Sequence, residues 1–468
     1  MKNLILKSAG LTMAAFLGLS SVNAQVFSQS EMQNMRSYGK KGMNVFEPKK
    51  ETDTKFDGIK VRWGAGFTQS FQALSHSTGL KSAINAAGKD SNAAYGLSAG
   101  FNTAQANLYT DVLLADGIRL NLTTYLSARH HNETWVKGGY IQFDKLPLNV
   151  EILDNIMKYT TIKVGHMEIN YGDNHFRRSD GGHTLYNPFV ENYILDPFTT
   201  EIGGEIYGNY KGFMGMLGVS NGEIKGSVDA LTATATDPTA KKTPAIYGKL
   251  AYDKTMDNGF RYRLAASVYS DKSSQSNTLM WGDRTGSNYF MTMERAFVGG
   301  NTATASGYTA QAWSGRLNPG INDEILAQQF NLFLKYKGAE FFGTYDMVEG
   351  RRATEVAKRS FNQMAADVIY RFGKTENVFV GVRYNTVSGN LPAAEQLNKI
   401  TINRTAIGAG WFVTDNIMLK GEYVMQEYKD FTPILGAANA NVTGPATKSD
   451  IRYNGKFDGF VIQATVGF

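Results

Sequence analysis

The stretch FVIQATVGF, Phe460–Phe468, decides the fold. Every second side chain is apolar, so one face of an extended strand would carry Phe460, Ile462, Ala464, Val466 and Phe468. The opposite face would carry Gln463 and Thr465. Alternation over about ten residues is typical of a transmembrane β-barrel wall, where one face meets lipid and the other meets water.

The same alternation recurs along the chain. It is clear at Val61 and Trp63, where Lys60 and Arg62 interleave, and again at Tyr262 and Leu264. It predicts sixteen strands, near residues 57–70, 95–114, 117–129, 133–144, 159–170, 201–211, 213–222, 244–253, 259–270, 327–337, 339–348, 361–372, 377–387, 399–413, 416–428 and 457–468. We therefore expect an all-β protein, a transmembrane antiparallel barrel of about sixteen strands.

The links between these strands alternate in length. Every second link is short, at residues 115–117, 211–212, 254–258, 337–338, 373–376 and 414–415, with one longer exception at 145–158. The intervening links are mostly long, at residues 71–94, 171–200, 223–243, 271–326, 349–360, 388–398 and 429–456, with a tight one at 130–132. Short periplasmic turns and long external loops are typical of an outer-membrane barrel.

The first residues predict export. Lys2 and Lys7 precede an uncharged apolar run, and small residues around Ala24 favour cleavage there. We predict a signal peptide at 1–24, a periplasmic N-terminal extension at 25–56 and the barrel at 57–468, in the outer membrane of a Gram-negative bacterium. The chain has no cysteine, which excludes disulfides and thiolate sites. Its formal net charge of +6 is too small and too dispersed to predict nucleic-acid binding.

The third external loop, near residues 171–200, is the richest in charge. A long loop inside a barrel can fold into the lumen and narrow it. We predict that it forms the pore constriction, with a set of charged side chains at the narrowing: Arg177, Arg178, Asp173, Asp180 and His175. The two arginines would attract anions. The alternative is that these charges are solvated on an external surface.

The strand register predicts a basic lumen. If the apolar rows face lipid, a set of cationic side chains points inward or toward the rims: Lys60, Arg62, Arg119, Arg261, Arg263, Arg371 and Arg383. Inward acids are fewer on this register, which indicates a mild preference for anions. For any single residue, internal salt bridging is the simpler interpretation.

The sequence predicts no enzyme, cofactor or metal site. Gly218 to Gly222 matches the G-x-S-x-G pattern, but no helix is predicted after it and all six histidines precede Ser220. His166, His175 and His183 have no spacing typical of metal ligands. No phosphate-binding loop or dinucleotide motif is present.

The chain resembles the sixteen-stranded phosphate-selective porins O and P and related Bacteroidetes porins. The resemblance depends on Ile162–Ile169 running into Tyr171-Gly172, on Phe176-Arg177-Arg178, and on the terminal VIQATVGF. It implies a homotrimer in outer-membrane lipid, a third loop that lines the eyelet, and a terminal Phe468 that the barrel-assembly machinery reads. A ladder of spaced arginines is missing, so phosphate itself does not carry over as the substrate.

These patterns predict a passive diffusion channel for small hydrophilic solutes, with a preference for anions, phosphate among them. The alternative is a barrel whose external loops act in surface binding or adhesion, because the fifth loop carries several aromatic side chains: Trp281, Tyr289, Phe290, Tyr308 and Trp313.

Overall fold

The computed structural model has sixteen long antiparallel strands, along which apolar and polar side chains alternate. They are β1 (Lys60–Ser77), β2 (Gln105–Ala115), β3 (Ile118–Leu126), β4 (Thr134–Phe143), β5 (Thr160–Glu168), β6 (Thr200–Tyr210), β7 (Phe213–Ser220), β8 (Ala245–Thr255), β9 (Arg261–Asp271), β10 (Glu324–Tyr336), β11 (Ala339–Arg351), β12 (Arg359–Phe372), β13 (Val378–Asn390), β14 (Lys399–Thr414), β15 (Ile417–Lys429) and β16 (Lys456–Gly467). Each pairs with the next along the chain, and β16 pairs with β1, where Phe67 lies opposite Val466. The sheet is therefore a closed barrel, and the predicted fold and strand number are confirmed.

The structure describes residues 31–52, 56–84, 88–126, 134–179, 183–224, 228, 230–281, 290–298, 301–302, 314–393, 395–396, 398–433 and 450–468. Minor elements are a helix, α1 (Glu151–Met157), four single 3₁₀ turns, and three two-residue strands at Gly100–Phe101, Phe297–Val298 and Asn301–Thr302. No helix in this part of the chain has the length and apolar character needed to cross a membrane.

The barrel has a short-turn end and a loop end. Two-residue turns join β6 to β7 at Lys211-Gly212 and β10 to β11 at Lys337-Gly338, and all four residues have positive φ. This is the geometry of type I′ hairpins, whose twist matches that of the strands they join. The long links, including the third loop (residues 169–199) and the fifth loop (residues 272–323), leave from the opposite end.

The outer face of the wall is apolar. Leu217 and Leu250 are about two-thirds and seven-tenths exposed, and similar residues recur on neighbouring strands: Ile206, Leu264, Phe330, Val368, Val380, Ile407 and Ile462. Near the short turns the outer face becomes aromatic, and Tyr159 packs on Tyr210 while Phe213 packs on Tyr252. An exposed apolar band with an aromatic girdle fits a lipid-facing surface.

Candidate functional site in the barrel lumen

The third loop crosses the lumen and is held there by the inward polar side chains of the far wall. Its backbone N–H groups donate to a series of wall side chains, in chain order: Gly172 to Ser267, Asp173 to Gln329 and Asn331, Val190 to Glu422, Ile194 to Asn385, and Leu195 to Gln363. Buried backbone groups away from a sheet need such partners, because an unpaired one is costly. The polar face of the wall therefore acts as a template for the loop.

Cationic side chains satisfy the carbonyls of the same loop. Lys420 Nζ on β15 donates to the carbonyls of Thr184, Asn187 and Phe189, each at 2.8 Å. On β13, Arg383 donates to the carbonyl of Glu191 at 2.6 Å. These contacts fix the loop along β9 to β15, so that side of the lumen is filled with protein.

Arg177, predicted at the constriction, is buried in an ion cluster near the short-turn end. Its guanidinium lies 2.8 Å from Glu340 Oε1, while Glu340 Oε2 accepts from Arg371 at 3.0 Å. Arg177 also donates to Asn44 Oδ1 at 2.6 Å. Two guanidinium groups thus share one buried carboxylate, and Arg177 links the loop to the wall.

Arg178 is equally buried. It forms a bidentate pair with Asp196 at 2.9 Å, which Arg316 also contacts at 2.9 Å, and it stacks 3.9 Å from the Phe198 ring centroid. Burial alone would raise the pKa of Asp196, but the two guanidinium groups outweigh it and the pKa is lowered. Arg178 is thus paired with a carboxylate of its own loop, which it shares with Arg316.

Asp173 and His175 also have close partners. Asp173 accepts from Arg263 at 2.8 Å and lies 2.7 Å from Lys249 Nζ. Burial would raise the pKa of this carboxyl, but the two cations lower it. His175 contacts Glu168 and lies 3.0 Å from Asn170 Oδ1. Asp180 lies outside the described residues.

The predicted lumen-lining cations point inward, apart from one at the rim, and most are paired. Their partners are Asp111 for Arg62, Asp144 for Arg119, Asp253 for Arg261, Asp173 for Arg263, Glu340 for Arg371 and Asp367 for Arg383. Lys60 lies at the rim, about half exposed, beside Asp57. An arginine that is paired with a carboxylate adds little to the electric field in the lumen. The number of inward arginines therefore does not measure anion preference.

Residues 32–52, which we name the N-terminal insert, also lie in the lumen. Tyr38 stacks on Tyr109 of β2 with ring centroids 4.3 Å apart, and Phe46 packs edge-on against Phe333 of β10 at 5.4 Å. These contacts place the described part of the predicted periplasmic extension within the barrel, at its short-turn end. The insert and the third loop therefore both occupy the lumen.

Among the residues that the structure describes, a cavity remains on one side of the lumen. A cavity of about 220 Å³ follows the wall from β2 to β6, from Asp144 and Thr161 near the short turns to Lys137 and Thr200 toward the loops. The insert and the third loop form its inner side through Arg36, Tyr38 and Phe176. We name this cavity the lysine passage.

Three lysines line the passage at successive heights. Lys50 of the insert reaches the carbonyl of Thr160 at 2.6 Å, and Lys163 lies two to three residues further along β5, about 7–10 Å at the usual strand rise. Lys137 on β4 lies higher again, over the Phe198 ring. Among the described residues no carboxylate is within ion-pair distance of Lys163, which stacks between Tyr140 and Tyr207 at 5.1 and 5.0 Å. Five cations and three carboxylates line the cavity, and two of these cations are paired, Arg62 with Asp111 and Lys50 with Asp144.

No protein-family model matches the chain, and no curated protein matches its sequence. Solved structures do match. An anion-selective porin from Comamonas acidovorans superposes with a TM-score of 0.50 over 88% of this chain and 100% of that chain, at 10% identity. The fold is that of an outer-membrane porin.

Two further porin-fold structures match less closely. DcaP, an outer membrane channel of Acinetobacter baumannii, and OmpF of Salmonella typhi in complex with daunomycin have TM-scores of 0.47 and 0.45. Each covers 88% of this chain and 98% of its own, at 11% and 10% identity respectively.

Sequence reasoning missed the three passage lysines. Lys163 was detectable, because it alternates with Ile162 and Val164 in a predicted strand. Lys50 was not, since it lies in a segment without periodicity. In the described part of the chain no group of three or more His, Asp or Glu side chains is placed to hold a metal ion.

The aromatic residues of the fifth loop partly belong to this interior. Phe290 is buried and packs against Phe457 of β16 at 6.4 Å, and Trp281 is partly buried. Tyr289, Tyr308 and Trp313 lie outside the described residues.

Proposed function

We propose that this chain is an outer-membrane channel for passive diffusion of small hydrophilic solutes, that it prefers anions, and that solutes move along the lysine passage. The observation that carries the proposal is the cavity along β2 to β6 with Lys50, Lys163 and Lys137 at successive heights. Charged side chains along a narrow route set ion selectivity.

The charges of the passage support an anion preference. Lys50 faces Asp144, which also pairs with Arg119, whereas Lys163 is flanked by tyrosine rings. Glu205 of β6 lies opposite Lys163 in the strand register but beyond ion-pair distance, so Lys163 keeps more of its field than a cation in an ion pair does. An anion in the cavity would therefore meet more cations than carboxylates, and inorganic phosphate is one anion of suitable size.

The proposal also includes the location of the protein, its oligomeric state and its assembly signal. The porin fold and the apolar outer face support a place in the outer membrane, and the resemblance supports a homotrimer. Phe468 continues the pairing with β1, since its backbone exchanges hydrogen bonds with Ala65 at 2.9 and 3.1 Å, and its side chain is about half exposed. An exposed terminal ring supports its role as a signal for the barrel-assembly machinery.

Planar-bilayer recording of the purified protein in a potassium chloride gradient tests the proposal. We expect a steady conductance and a reversal potential that shows chloride carrying most of the current. Lys163→Glu combined with Lys137→Glu should weaken or reverse that preference, because both changes replace a cation on the passage with an anion.

Lys429→Glu is the matched control, because Lys429 is exposed at the end of β15 and far from the passage. It should leave the reversal potential unchanged at high salt, where surface charge is screened. A cation-dominated current in the wild type, or the same selectivity in the double variant, would contradict the proposal.

A further inference from the structure

We propose that the N-terminal insert is a resident element of the pore that sets the width of the lysine passage, so that its removal converts a narrow selective route into a wide one. The inference rests on the proposed channel function for its electrical readout. Its structural basis is independent, because the insert contacts the wall around much of the barrel circumference.

On the passage side, the insert is seated on β1 and β2. The Tyr38 hydroxyl donates to Asp111 at 2.9 Å, and Arg62 lies over the Tyr38 ring at 4.7 Å. Gly64 of β1 makes room for this ring, because a Cβ atom at that position would lie 2.3 Å from Tyr38 Cδ2. The glycine and the tyrosine therefore fit each other.

On the opposite side, the insert is held by two charge clusters. Asn44 donates to Glu340 at 2.8 Å and accepts from Arg177, which joins it to β11 and the third loop. Glu47 accepts from Arg263 at 2.7 Å and lies 2.9 Å from Lys249 Nζ, which joins it to β9 and β8. Burial would raise the pKa of Glu47, but these cations lower it, so the carboxylate stays charged.

At the short-turn end, backbone contacts complete the attachment. Lys40 N–H donates to the carbonyl of Asp415 at 2.8 Å, and Lys40 Nζ donates to the carbonyl of Thr375 at 2.6 Å. These acceptors lie in the turns after β14 and β12. The insert is thus tied to strands or turns on several sides of the barrel.

The position of the insert determines the passage. Several of its side chains form the inner side of the cavity: Asn34, Arg36, Tyr38, Phe46, Glu47 and Lys50. Arg36 reaches the third loop, donating to the carbonyl of Phe176 at 2.9 Å and lying 4.0 Å from the Tyr186 ring centroid. Without the insert, the passage would merge with the volume that the insert now fills.

The test compares single-channel conductance of the wild type with a variant lacking residues 32–52. We expect the deletion to raise the unit conductance several-fold and to weaken ion selectivity. Equal conductances would overturn the inference alone. A silent wild type with a conducting deletion would support the inference and overturn the proposed open channel, and silence from both would overturn both.

A second variant covers the case in which the deletion fails to fold. Glu47→Lys puts a third cation beside Lys249 and Arg263 and should displace the insert, which predicts a larger and noisier conductance. The matched control is Lys49→Glu, an exposed position in the same segment, which should conduct like the wild type. Identical traces from both variants would count against the inference.

Placement can be measured without current, because the natural chain has no cysteine. Lys40→Cys combined with Asp415→Cys should form an intramolecular disulfide on mild oxidation of the folded protein, detectable by mass spectrometry, because a backbone hydrogen bond of 2.8 Å joins the two residues. Lys40→Cys combined with Tyr247→Cys, on β8, should not. Equal cross-linking of the two pairs would overturn the proposed seat of the insert.

Discussion

The two sides of the lumen are built from the same kind of strand, but their inward side chains have different partners. Along β9 to β15, inward polar side chains bond to the third loop or form buried ion pairs, such as Arg383 with Asp367. Along β2 to β6, comparable side chains face the lysine passage. We call these the packed side and the passage side.

The difference follows from where the third loop leaves the wall. It departs after β5 and crosses to the far strands, so its backbone meets Gln329, Gln363 and Asn385 rather than the strands beside it. An inward polar residue is thus a structural partner on one side and a candidate contact for solute on the other. Strand pattern alone does not distinguish the two roles.

The largest effect is expected from Glu340→Ala on the packed side. The change leaves the buried guanidinium groups of Arg177 and Arg371 without their shared carboxylate, and breaking such a buried pair costs about 3–5 kcal/mol. Denaturant unfolding in detergent, followed by tryptophan fluorescence, measures the loss.

Lys163→Gln is the counterpart on the passage side. It breaks no ion pair among the described residues and removes two cation–π contacts, so it should lower the free energy of unfolding by about 0.5–2 kcal/mol, less than Glu340→Ala. Similar losses in the two variants would remove the distinction between packed side and passage side.

The next effect concerns pH and Glu191, in the third loop. Burial raises the pKa of its carboxyl to about 8, and the neighbouring carboxylates Glu422 and Asp196 add to this against Arg404 and Arg316. A raised folded-state pKa means that the stabilising contribution is complete below the unfolded value, about 4.3, and is lost as the pH rises through about 8. The packed side should therefore loosen between pH 5 and pH 9.

Glu191→Gln tests this directly. The variant should lose less stability than the wild type between pH 5 and pH 9, because the glutamine has no proton to release. The measured quantity is the difference between the two unfolding midpoints at each pH. A difference that does not change with pH would show that the carboxyl does not titrate in this range.

The smallest effect on stability, and a clear one on conductance, is expected from Thr123→Trp. Thr123 of β3 lines the passage, so an indole there should lower the unit conductance several-fold with little change in unfolding. Bilayer recording and denaturant unfolding of the same preparation measure both quantities.

Thr344→Trp is the matched change on the packed side. Thr344 Oγ1 donates to Asn174 at 2.8 Å in a filled interior, where overpacking costs about 1–3 kcal/mol. It should lower the free energy of unfolding and leave the width of the passage unchanged. If Thr344→Trp lowered the conductance and Thr123→Trp destabilised the protein instead, the open route would lie on the packed side, which would contradict the assignment.

The sequence by itself determined the wall. A period of two is a local property, so it predicted sixteen strands, the short turns, and the inward direction of Arg62, Arg119 and Arg383 without any knowledge of distant contacts. Only the tertiary structure decided which inward charges are neutralised, because their partners come from far along the chain. Asn44 meets Glu340 across 296 residues, and Arg383 meets the Glu191 carbonyl across 192. The third loop and the insert have no sequence periodicity that predicts their path. Their place in the lumen and the lysine passage are therefore visible only in the tertiary structure.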